Sequence, residues 1–466
     1  MGDAILDTKP TVAIPSDDKP VVVIVAFMVP GHMAGPLQCS KYLSSKGYKD
    51  IYFLASAKYK TAVEHTGANF VENPWTLPDD IPRGLSRSDK ILVEFKHFFI
   101  DSAPTVHRCM KALLEDIREK HPDRKVVMIH ESMSLGLDPF NYGAPLPKGY
   151  TSMPKAINFQ TSLNFYPDPL VPPVRPVALE YDPTPENLRL WQEMREEPLS
   201  PLWTAINDHL NKVYATIPAT AKVRPNERYL DQVMVHGDVT VVPTSPSLDY
   251  PRANVDPVNN RIHFIGGLPL NPVDPNFTYP SWWSEITENA SSPNRKKVVL
   301  VTQGTIDTTY DELLLPTVRA LADRDDLIVV ATLGIRNEPS PLSPEETPKN
   351  TKIIDYLPYD AVLPYSDVFV SNAGYGGFMH GVMNGVPMVL GGIAADKPEV
   401  CMRAEWAGVT VNLRTDKPSE EQVRDAINKV LGNDNYKKRI MEVKKENEEM
   451  DSLGTIERLV AEFGRA

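Results

Sequence analysis

Alternating apolar runs and polar breaks along the first seventy residues indicate a parallel α/β domain. The run Val21 to Phe27 (VVVIVAF) is apolar throughout, as expected for a strand covered on both faces. The pattern then predicts a loop from Met28 to Gly35 and a helix from about Pro36 to Lys46 that a glycine ends. A second strand at Ile51 to Ala55 and a helix at Ala57 to Gly67 follow. This β-loop-α-β rhythm is Rossmann-like.

The same alternation continues to about residue 265 and starts again near residue 296. Pro, Gly and polar residues fill the stretch between, so we predict two Rossmann-like domains, residues 20–265 and 296–445, joined by a linker at 266–295, with a flexible tail at 1–19. The remaining predicted strands are Lys125 to His130, Ala156 to Gln160, Val239 to Pro243, Lys297 to Thr302, Leu327 to Thr332, a run before Tyr356, Val368 to Ser371 and Met388 to Gly391. The remaining predicted helices are Ala103 to Lys120, Pro185 to Glu196, Pro201 to Thr216, Tyr310 to Ala322 and most of Ser419 to Ala466, where Ser419 and Gln422 have the spacing of a capping box.

A glycine turn in the second domain predicts an anion site. The strand Asp367 to Ser371 stops at Asn372-Ala373-Gly374-Tyr375-Gly376-Gly377, and helical spacing resumes at Phe378. A helix that starts directly after a buried strand directs free backbone N–H groups and the positive end of its dipole at one point, which suits a phosphate. Glycine permits close approach of the backbone and positive φ. The alternative is an ordinary βα turn with glycines for packing.

Two neighbouring motifs favour the anion site. Tyr356-Leu357-Pro358 follows one predicted strand, and Asp396-Lys397 follows the strand at Val386 to Leu390 and a glycine turn. Ligands of open α/β sheets bind at the carboxyl ends of the strands. An aromatic ring, an anion cradle and a hydrogen-bonding pair would therefore lie along one edge of the sheet.

Composition and charge narrow the class of protein. With 42% hydrophobic and 24% charged residues, the chain is typical of a soluble globular protein. A net charge of −12 without a basic tract argues against binding nucleic acid or an anionic membrane surface. Three scattered cysteines predict neither a disulfide framework nor a zinc site. No signal peptide and no apolar run long enough to span a bilayer are visible, so we expect a cytoplasmic protein.

These motifs together resemble a known family. The order aromatic-x-Pro, N-x-G-x-G-G, G-V-P and D-K-P-E-V over residues 356–400 is similar to the nucleotide-sugar signature of the family one UDP-glycosyltransferases, in the form found in natural-product enzymes of fungi and bacteria. The resemblance implies a GT-B fold, in which two Rossmann-like domains face each other across a cleft. It also implies that the last helix, residues 446–466, crosses back to brace the N-terminal domain.

The resemblance assigns a donor site to the second domain. It implies that Tyr356, where relatives carry tryptophan, stacks on uracil and that the Leu357 backbone bonds the base edge. Asn372 stands where many relatives have histidine, and His380 replaces a glutamate that binds the ribose. Asp396 matches the acid that binds the sugar 3- and 4-hydroxyls, and Lys397 replaces a glutamine. The residues expected to hold the diphosphate are Gly304, Thr305, Gly374, Tyr375, Gly376 and Gly377.

His32 is the candidate general base. It follows the first strand, so it would lie at the edge of the sheet that faces the donor, and the ordinary pKa of imidazole, about 6.5, suits a base at neutral pH. The alternative is an ordinary loop histidine. The resemblance implies a carboxylate partner after a later strand, and Glu131 occupies that place where relatives have aspartate. His130 and Asp138, which lie near Glu131 in the sequence, are alternative candidates for this role. The family pattern Gly-His-x-x-Pro is here one residue longer, Gly31 to Pro36.

These features predict an inverting glycosyltransferase that moves a sugar, glucose above all, from a UDP-sugar to a hydroxyl group of a small apolar acceptor of phenolic or polyketide type. We expect no metal and no cofactor, with the UDP-sugar as co-substrate, and a monomer or weak homodimer. The acidic run at residues 323–326 is interpreted as a solvated turn and not a metal motif. Two alternatives remain: a UDP-sugar epimerase on the same fold, and a catalytically idle protein that binds a nucleotide sugar as the partner of another enzyme.

Overall fold

The computed structural model describes residues 19–77, 87–175, 177–223, 227–253, 261–305 and 309–465. The predicted N-terminal tail lies almost entirely outside these ranges. Within them the chain forms two α/β units, each built on a parallel sheet, as the apolar runs predict. No helix in the described ranges combines the length and the apolar character that crossing a bilayer requires.

The first unit contains a seven-stranded parallel sheet within the described residues. Its strands are β1 (Val21–Val25), β2 (Ile51–Ala55), β3 (Asn69–Glu72), β4 (Val126–Glu131), β5 (Lys155–Phe159), β6 (Val239–Val242) and β7 (Ile262–Phe264), in the spatial order β3-β2-β1-β4-β5-β6-β7. Its helices are α1 (Pro30–Ser45), α2 (Lys60–Glu64), α3 (Arg87–Val93), α4 (Ala103–Lys120), α5 (Asp138–Asn141), α6 (Pro185–Glu196), α7 (Pro201–Tyr214) and α8 (Tyr229–Val233), with a π-helix at Glu94–Phe99.

The second unit contains a six-stranded parallel sheet within the described residues. Its strands are β8 (Lys297–Thr302), β9 (Leu327–Thr332), β10 (Thr351–Ile354), β11 (Val368–Ser371), β12 (Met388–Leu390) and β13 (Thr410–Asn412), in the order β10-β9-β8-β11-β12-β13. Its helices are α9 (Trp283–Ser291), α10 (Leu314–Ala320), α11 (Tyr359–Val362), α12 (Tyr375–Asn384), α13 (Lys397–Trp406), α14 (Glu420–Leu431), α15 (Asp434–Glu449) and α16 (Ser452–Phe463).

Burial of both sheet faces explains the apolar runs. In β1, Val22 and Ile24 join one core cluster, while Val21, Val23 and Val25 join the cluster on the opposite face. A strand covered on both sides needs apolar residues at every position, which removes the polar alternation of a half-exposed strand. The capping box that begins α14 is present, as predicted, with the Ser419 hydroxyl accepting from Gln422 and the Gln422 side chain accepting from the Ser419 amide.

The last helix packs on the first unit. Ile456, Leu459 and Val460 of α16 are buried in the core cluster that also contains β1 residues and Leu43 of α1. The chain reaches this position through Asp451, which has a left-handed conformation with φ 49°. The two units are therefore joined both by the linker and by the crossing of α15 into α16.

Two predicted helix starts beside the candidate site are wrong. The loop predicted from Met28 to Gly35 is largely helical, because α1 begins at Pro30 and Pro36 lies inside it. Proline at the first helical position loses only an N–H that has no helical partner, so Pro30 starts the helix as well as Pro36 would. Similarly, α12 begins at Tyr375 and not after Gly377. Both shifts put candidate site residues in the first turn of a helix.

Candidate active site

His32 and Glu131 come together at the carboxyl edge of the first sheet. β1 pairs with β4 in parallel, with Val25 opposite His130. His32 lies in the first turn of α1, directly after β1, and Glu131 is the last residue of β4. Nδ1 of His32 is 2.8 Å from Oε1 of Glu131, and the side chains are 23% and 0% exposed. The imidazole thus has one nitrogen tied to a buried carboxylate and enough exposure for its other nitrogen to meet a substrate.

The carboxylate of Glu131 is held by several donors. Its Oε1 accepts from the Thr161 hydroxyl at 2.8 Å and from the Met133 amide at 3.1 Å, and its Oε2 lies 3.4 Å from the Phe27 amide. The Thr161 hydroxyl is also 3.1 Å from Nδ1 of His32. Since Oε1 is an acceptor toward every neighbour, the proton of the neutral imidazole belongs on Nδ1. Nε2 is then left as the basic nitrogen.

The contact between His32 and Glu131 shifts the pKa of each group in the direction that favours its charged form. Burial by itself lowers the pKa of His32, but the attraction and hydrogen bond of Glu131, with a further contribution from Asp396, raise it above the ordinary value. Burial by itself raises the pKa of Glu131, but His32 and the hydrogen bonds from Met133 and Thr161 lower it below the ordinary value. Glu131 is therefore ionised at neutral pH, and it stabilises an imidazolium at His32.

His130 and Asp138, the two alternatives to Glu131, belong to a different buried cluster. Nε2 of His130 bonds the backbone carbonyl of His236, and His236 pairs with Asp138 through its Nδ1 at 2.5 Å. Asp138 also accepts from two tyrosine hydroxyls, those of Tyr214 and Tyr229. Of the three residues, Glu131 is the one for which the structure describes a contact with His32.

Aromatic rings line the surroundings of His32. The ring of Phe27 lies 5.6 Å from the His32 ring, and that of Phe99, the last residue of the π-helix, lies 6.0 Å away. Trp75 packs on Phe27 at 5.9 Å, and Phe95 connects Phe99 to Trp203 of α7. These tilted and edge-to-face rings form an apolar wall that suits a flat, apolar ligand.

The glycine turn of the second unit has the geometry of an anion site. After β11, Ala373 adopts φ +62°, a strained conformation for a residue with a Cβ. Gly374 then caps α12, whose first turn contains Tyr375, Gly376 and Gly377. A Cβ placed on Gly376 would meet no atom within 4 Å, so the space beside this turn is open. The unpaired N–H groups of the first turn and the helix dipole are available to a phosphate there.

The loop after β8 lies beside this turn. The side-chain nitrogen Nδ2 of Asn372 donates to the Gln303 backbone carbonyl. A Cβ on Gly304 would lie 3.8 Å from Asn372 Oδ1, and one on Gly374 would lie 3.9 Å from it. Gly304 has φ +82°, which glycine adopts without strain, and the exposed Thr305 follows it. Gly304, Thr305, Asn372 and Gly374 therefore share one location.

Tyr356 lies next to a cation that sequence reasoning missed. The guanidinium of Arg336 is 4.0 Å from the centre of the Tyr356 ring, and Phe277 of the linker meets the same ring edge-on at 6.4 Å. Asp355 holds the two segments together, because its carboxylate accepts from the Tyr356 and Asn337 amides. Leu357 is 2% exposed. Nothing in the local sequence pattern distinguishes Arg336 from an ordinary surface arginine.

Two predicted donor residues have their side chains engaged elsewhere. The hydroxyl of the buried Tyr375 donates to the Pro243 carbonyl of the first unit, at 3.4 Å. Only the backbone N–H of Tyr375 is then left to bind a nucleotide sugar. Nδ1 of His380 bonds Asp360 at 2.7 Å. Only Nε2 of His380 is then left for a ribose hydroxyl.

Asp396 faces the first unit across the cleft. It is the N-cap residue of α13, and its carboxylate accepts a hydrogen bond from Ser162, which follows β5. Lys397 begins the helix and packs over Gly392, where a Cβ would lie 2.9 Å from the Lys397 Cβ and 2.4 Å from the Asn372 carbonyl oxygen. Asn372, Gly392 and Lys397 are thus adjacent.

Thr161 and Ser162 are site residues that sequence reasoning missed. Thr161 contacts the His32–Glu131 pair, and Ser162 contacts Asp396. Their position was a usable indication, because both directly follow the predicted strand Ala156 to Gln160, at the edge of the sheet where His32 was placed.

Comparisons with known proteins agree with this architecture. The family model described as UDP-glucoronosyl and UDP-glucosyl transferase matches residues 202–449. UDP-glucosyltransferase 1 of Beauveria bassiana is 37% identical over 96% of this chain and 96% of its own length. UDP-glucosyltransferase B1 of Starmerella bombicola is 30% identical over 96% of this chain and 99% of its own length.

A solved structure supports the fold independently. The glycosyltransferase of kitacinnamycin superimposes with a TM-score of 0.67 over 96% of this chain and 99% of that chain, at 19% identity. A likeness at this identity bears on the fold, and it confirms the predicted GT-B architecture of two facing Rossmann-like domains.

Proposed function

The chain belongs to the UDP-glucoronosyl and UDP-glucosyl transferase family, and from this premise we propose that it transfers glucose from UDP-glucose to a hydroxyl group of a small apolar acceptor with inversion at the anomeric carbon. Membership makes it a UDP-sugar-dependent glycosyltransferase. Glucose is supported by the names of the fungal relatives, UDP-glucosyltransferases of Beauveria bassiana and Starmerella bombicola. The observation that carries the mechanism is the His32–Glu131 pair at 2.8 Å, at the carboxyl edge of the first sheet, where Ser162 contacts Asp396 of the second unit.

His32 acts as the general base in this proposal. Its Nε2 takes the proton of the acceptor hydroxyl while the oxygen attacks C1 of the sugar. The imidazolium that forms is stabilised by the ionised carboxylate of Glu131, which also keeps the neutral ring in the tautomer with a basic Nε2. Thr161 holds both groups and so limits rotation of the carboxylate.

The donor lies on the second unit. The diphosphate would rest on the backbone N–H groups of Tyr375, Gly376 and Gly377, with Gly304, Thr305 and Asn372 closing the site. Uracil would stack on Tyr356, with the Leu357 backbone on its edge and His380 near the ribose. Asp396 and Lys397 would bind sugar hydroxyls, Asp396 exchanging its bond from Ser162 for one from the sugar.

One displacement completes the reaction. The bond from the acceptor oxygen to C1 forms as the bond from C1 to the phosphate oxygen breaks, and UDP leaves with the electron pair. Attack from the face opposite the leaving group converts an α-linked donor into a β-glycoside. The helix dipole and main-chain amides stabilise the charge that develops on the diphosphate, so we propose that no metal ion or other cofactor is needed.

The acceptor pocket is formed by the aromatic wall beside His32. The rings of Phe27 and Phe99 lie 5.6 and 6.0 Å from the His32 ring, and Trp75 packs on Phe27, which favours a flat phenolic or polyketide acceptor over a polar sugar. We further propose a cytoplasmic enzyme that acts as a monomer or a weak homodimer. The three cysteines are unpaired, as a reducing compartment would keep them.

Substitution of the base tests the proposal. His32→Ala should reduce glycoside formation from UDP-glucose and a phenolic panel by a factor of about 100 to 10,000, the range of general base catalysis. The dissociation constant for UDP should stay within about twofold, because the donor contacts lie on the other unit. His121→Ala, at the amino-terminal edge of the same sheet, is the matched control and should retain parent activity.

The outcomes separate the alternatives. Near-parent turnover by His32→Ala would reject the base assignment. A parent chain that binds UDP-glucose but transfers nothing to any acceptor would favour the idle partner. Conversion of UDP-glucose to an isomeric UDP-sugar without an acceptor would favour the epimerase, a reaction that has no use for the aromatic wall.

A further inference from the structure

A series of buried ionic contacts crosses the interface between the two units at Arg403. This residue lies on α13, its side chain is 1% exposed, and its Nε donates to Oδ1 of Asp249 in the first unit at 2.9 Å. Within its own helix, Arg403 also donates to Glu399. The guanidinium therefore has one carboxylate partner on each side of the interface.

Asp249 extends this series of contacts, through Arg252, to the loop that follows β5. Its Oδ2 accepts from Nε of Arg252 at 2.8 Å, and the two terminal nitrogens of Arg252 donate to the Tyr166 and Asn164 carbonyls, each at 2.8 Å. Burial by itself raises the pKa of Asp249, but Arg252 and Arg403 lower it below its ordinary value. Asp249 is thus a fixed negative charge between two arginines.

Aromatic rings shield these ionic contacts from solvent. The guanidinium carbon of Arg403 is 4.6 Å from the centre of the Tyr250 ring, and Tyr181 stacks on Tyr250 at 4.4 Å with an interplanar angle of 7°. Trp406 of α13 meets both tyrosine rings edge-on, at 5.7 and 5.5 Å. Exclusion of water makes the ionic contacts stronger and more dependent on exact position.

The series of ionic contacts leads to groups of the active site at both of its ends. α13 begins one residue after Asp396, so Arg403 fixes the helix that presents the sugar-binding carboxylate. Asn164 and Tyr166 closely follow Thr161 and Ser162, which contact the His32–Glu131 pair and Asp396 respectively. The same set of contacts therefore supports the residues that face each other across the cleft.

We propose that Arg403, Asp249 and Arg252 form an interdomain clasp that positions Asp396 against the His32–Glu131 pair. A buried ion pair contributes little net stability, because desolvation offsets its attraction, but it is well suited to specifying one register. A transferase needs such a register, since its base and its sugar are held by different domains and a misplacement of about 1 Å can cost about a hundredfold in rate. The inference rests on the proposed function, because it assigns the clasp to the alignment of donor and acceptor.

Asp249→Asn and Glu399→Gln form a matched pair of variants. Each removes one negative charge beside Arg403, the first across the interface and the second within α13, and each leaves Arg403 one carboxylate partner. Asp249→Asn also removes the carboxylate beside Arg252, the second cation of the clasp. We expect Asp249→Asn to lower kcat for transfer by about ten- to a hundredfold. UDP binding should not change, because the glycine turn and Tyr356 lie outside the clasp. Glu399→Gln should reduce kcat by less than about threefold at a similar melting temperature.

Two readouts decide the proposal. In the full-length protein, hydrogen exchange of residues 160–166 and 396–403 should accelerate in Asp249→Asn and not in Glu399→Gln. Equal losses of kcat in both variants, or equal exchange, would show that the ion pairs serve stability alone and would overturn the clasp. Exchange does not depend on turnover, so a parent chain without transferase activity would refute the proposed function while exchange still decided the clasp.

Discussion

Replacing Glu131 with glutamine removes a charge from the active site while preserving its shape. The amide is isosteric with the carboxylate, and its oxygen has a defined place, because the Met133 amide and the Thr161 hydroxyl both donate to the Oε1 position. The oxygen can therefore still accept from Nδ1 of His32, and the tautomer with a basic Nε2 survives. What is lost is the attraction between a carboxylate and the imidazolium that forms in the transition state, together with the 3.4 Å contact of the Phe27 amide at the Oε2 position.

The size of that loss follows from the geometry. Nδ1 and Oε1 are 2.8 Å apart, and the carboxylate is completely buried. With charge centres about 4 Å apart and an effective dielectric constant of about 20, the attraction is about 4 kcal/mol. If most of it is realised only when the imidazolium forms, kcat should fall by about a thousandfold.

The pH profile supplies a second, independent readout. His32 is a base only when neutral, so kcat/KM should fall as the pH drops below the pKa of His32 in the free enzyme. Glu131 raises that pKa, which places the acid limb of the parent profile above about pH 6.5. In Glu131→Gln the charge attraction disappears, although the amide oxygen still accepts from Nδ1, and burial still lowers the pKa of His32, so the acid limb should move to lower pH.

The measurements are steady-state kinetics of UDP release and glycoside formation from pH 5 to 9, with an NMR titration of the His32 ring in both proteins. Thermal unfolding and UDP affinity control for misfolding. A kcat within about tenfold of the parent would refute the charge-stabilisation argument, since the calculated attraction corresponds to far more. An acid limb that stays in place would contradict the assignment of Glu131 as the group that raises the pKa of His32.

Two further substitutions test neighbouring contacts. Asp396→Ala should weaken UDP-glucose binding by about tenfold or more and UDP binding by less than about twofold, because it removes hydrogen bonds from the sugar alone; calorimetry with both ligands checks this, and equal losses would mean that Asp396 does not bind the sugar. Thr161→Val keeps the shape but loses the hydroxyl held between His32 and Glu131, and should lower kcat by about tenfold at unchanged UDP affinity. Restoration of kcat by Thr161→Ser, and no restoration by Thr161→Ala, would separate the hydroxyl from a packing effect.

The fold was predictable because its physical cause is local. Strands buried on both faces require continuous apolar runs, and those at Val21 to Phe27 and Lys297 to Thr302 identify interior strands of the two sheets. The position of His32 and Glu131 at one sheet edge follows from the rule that parallel strands end together. The start of α1 was missed because either Pro30 or Pro36 could begin a helix, and only packing of the full turn selects Pro30.

Contacts between distant segments could not be predicted. Asp249 and Arg403 are 154 positions apart, and neither lies in a motif. Ser162 and Asp396 meet only because the two units close on each other. Tyr375 was expected in the diphosphate cradle, and the place of its side chain at the Pro243 carbonyl could not be predicted, since the partner of this buried hydroxyl belongs to the first unit. Such contacts depend on how the two sheets pack, which the local pattern does not contain.

A crystal structure of the enzyme with UDP-glucose or UDP bound tests the proposed site most directly. We predict the β-phosphate within hydrogen-bonding distance of the Gly376 and Gly377 amides, uracil on Tyr356, and Nε2 of His32 facing the anomeric carbon or the site it leaves vacant. Density for the diphosphate away from the first turn of α12, or an imidazole turned away from the sugar, would contradict it.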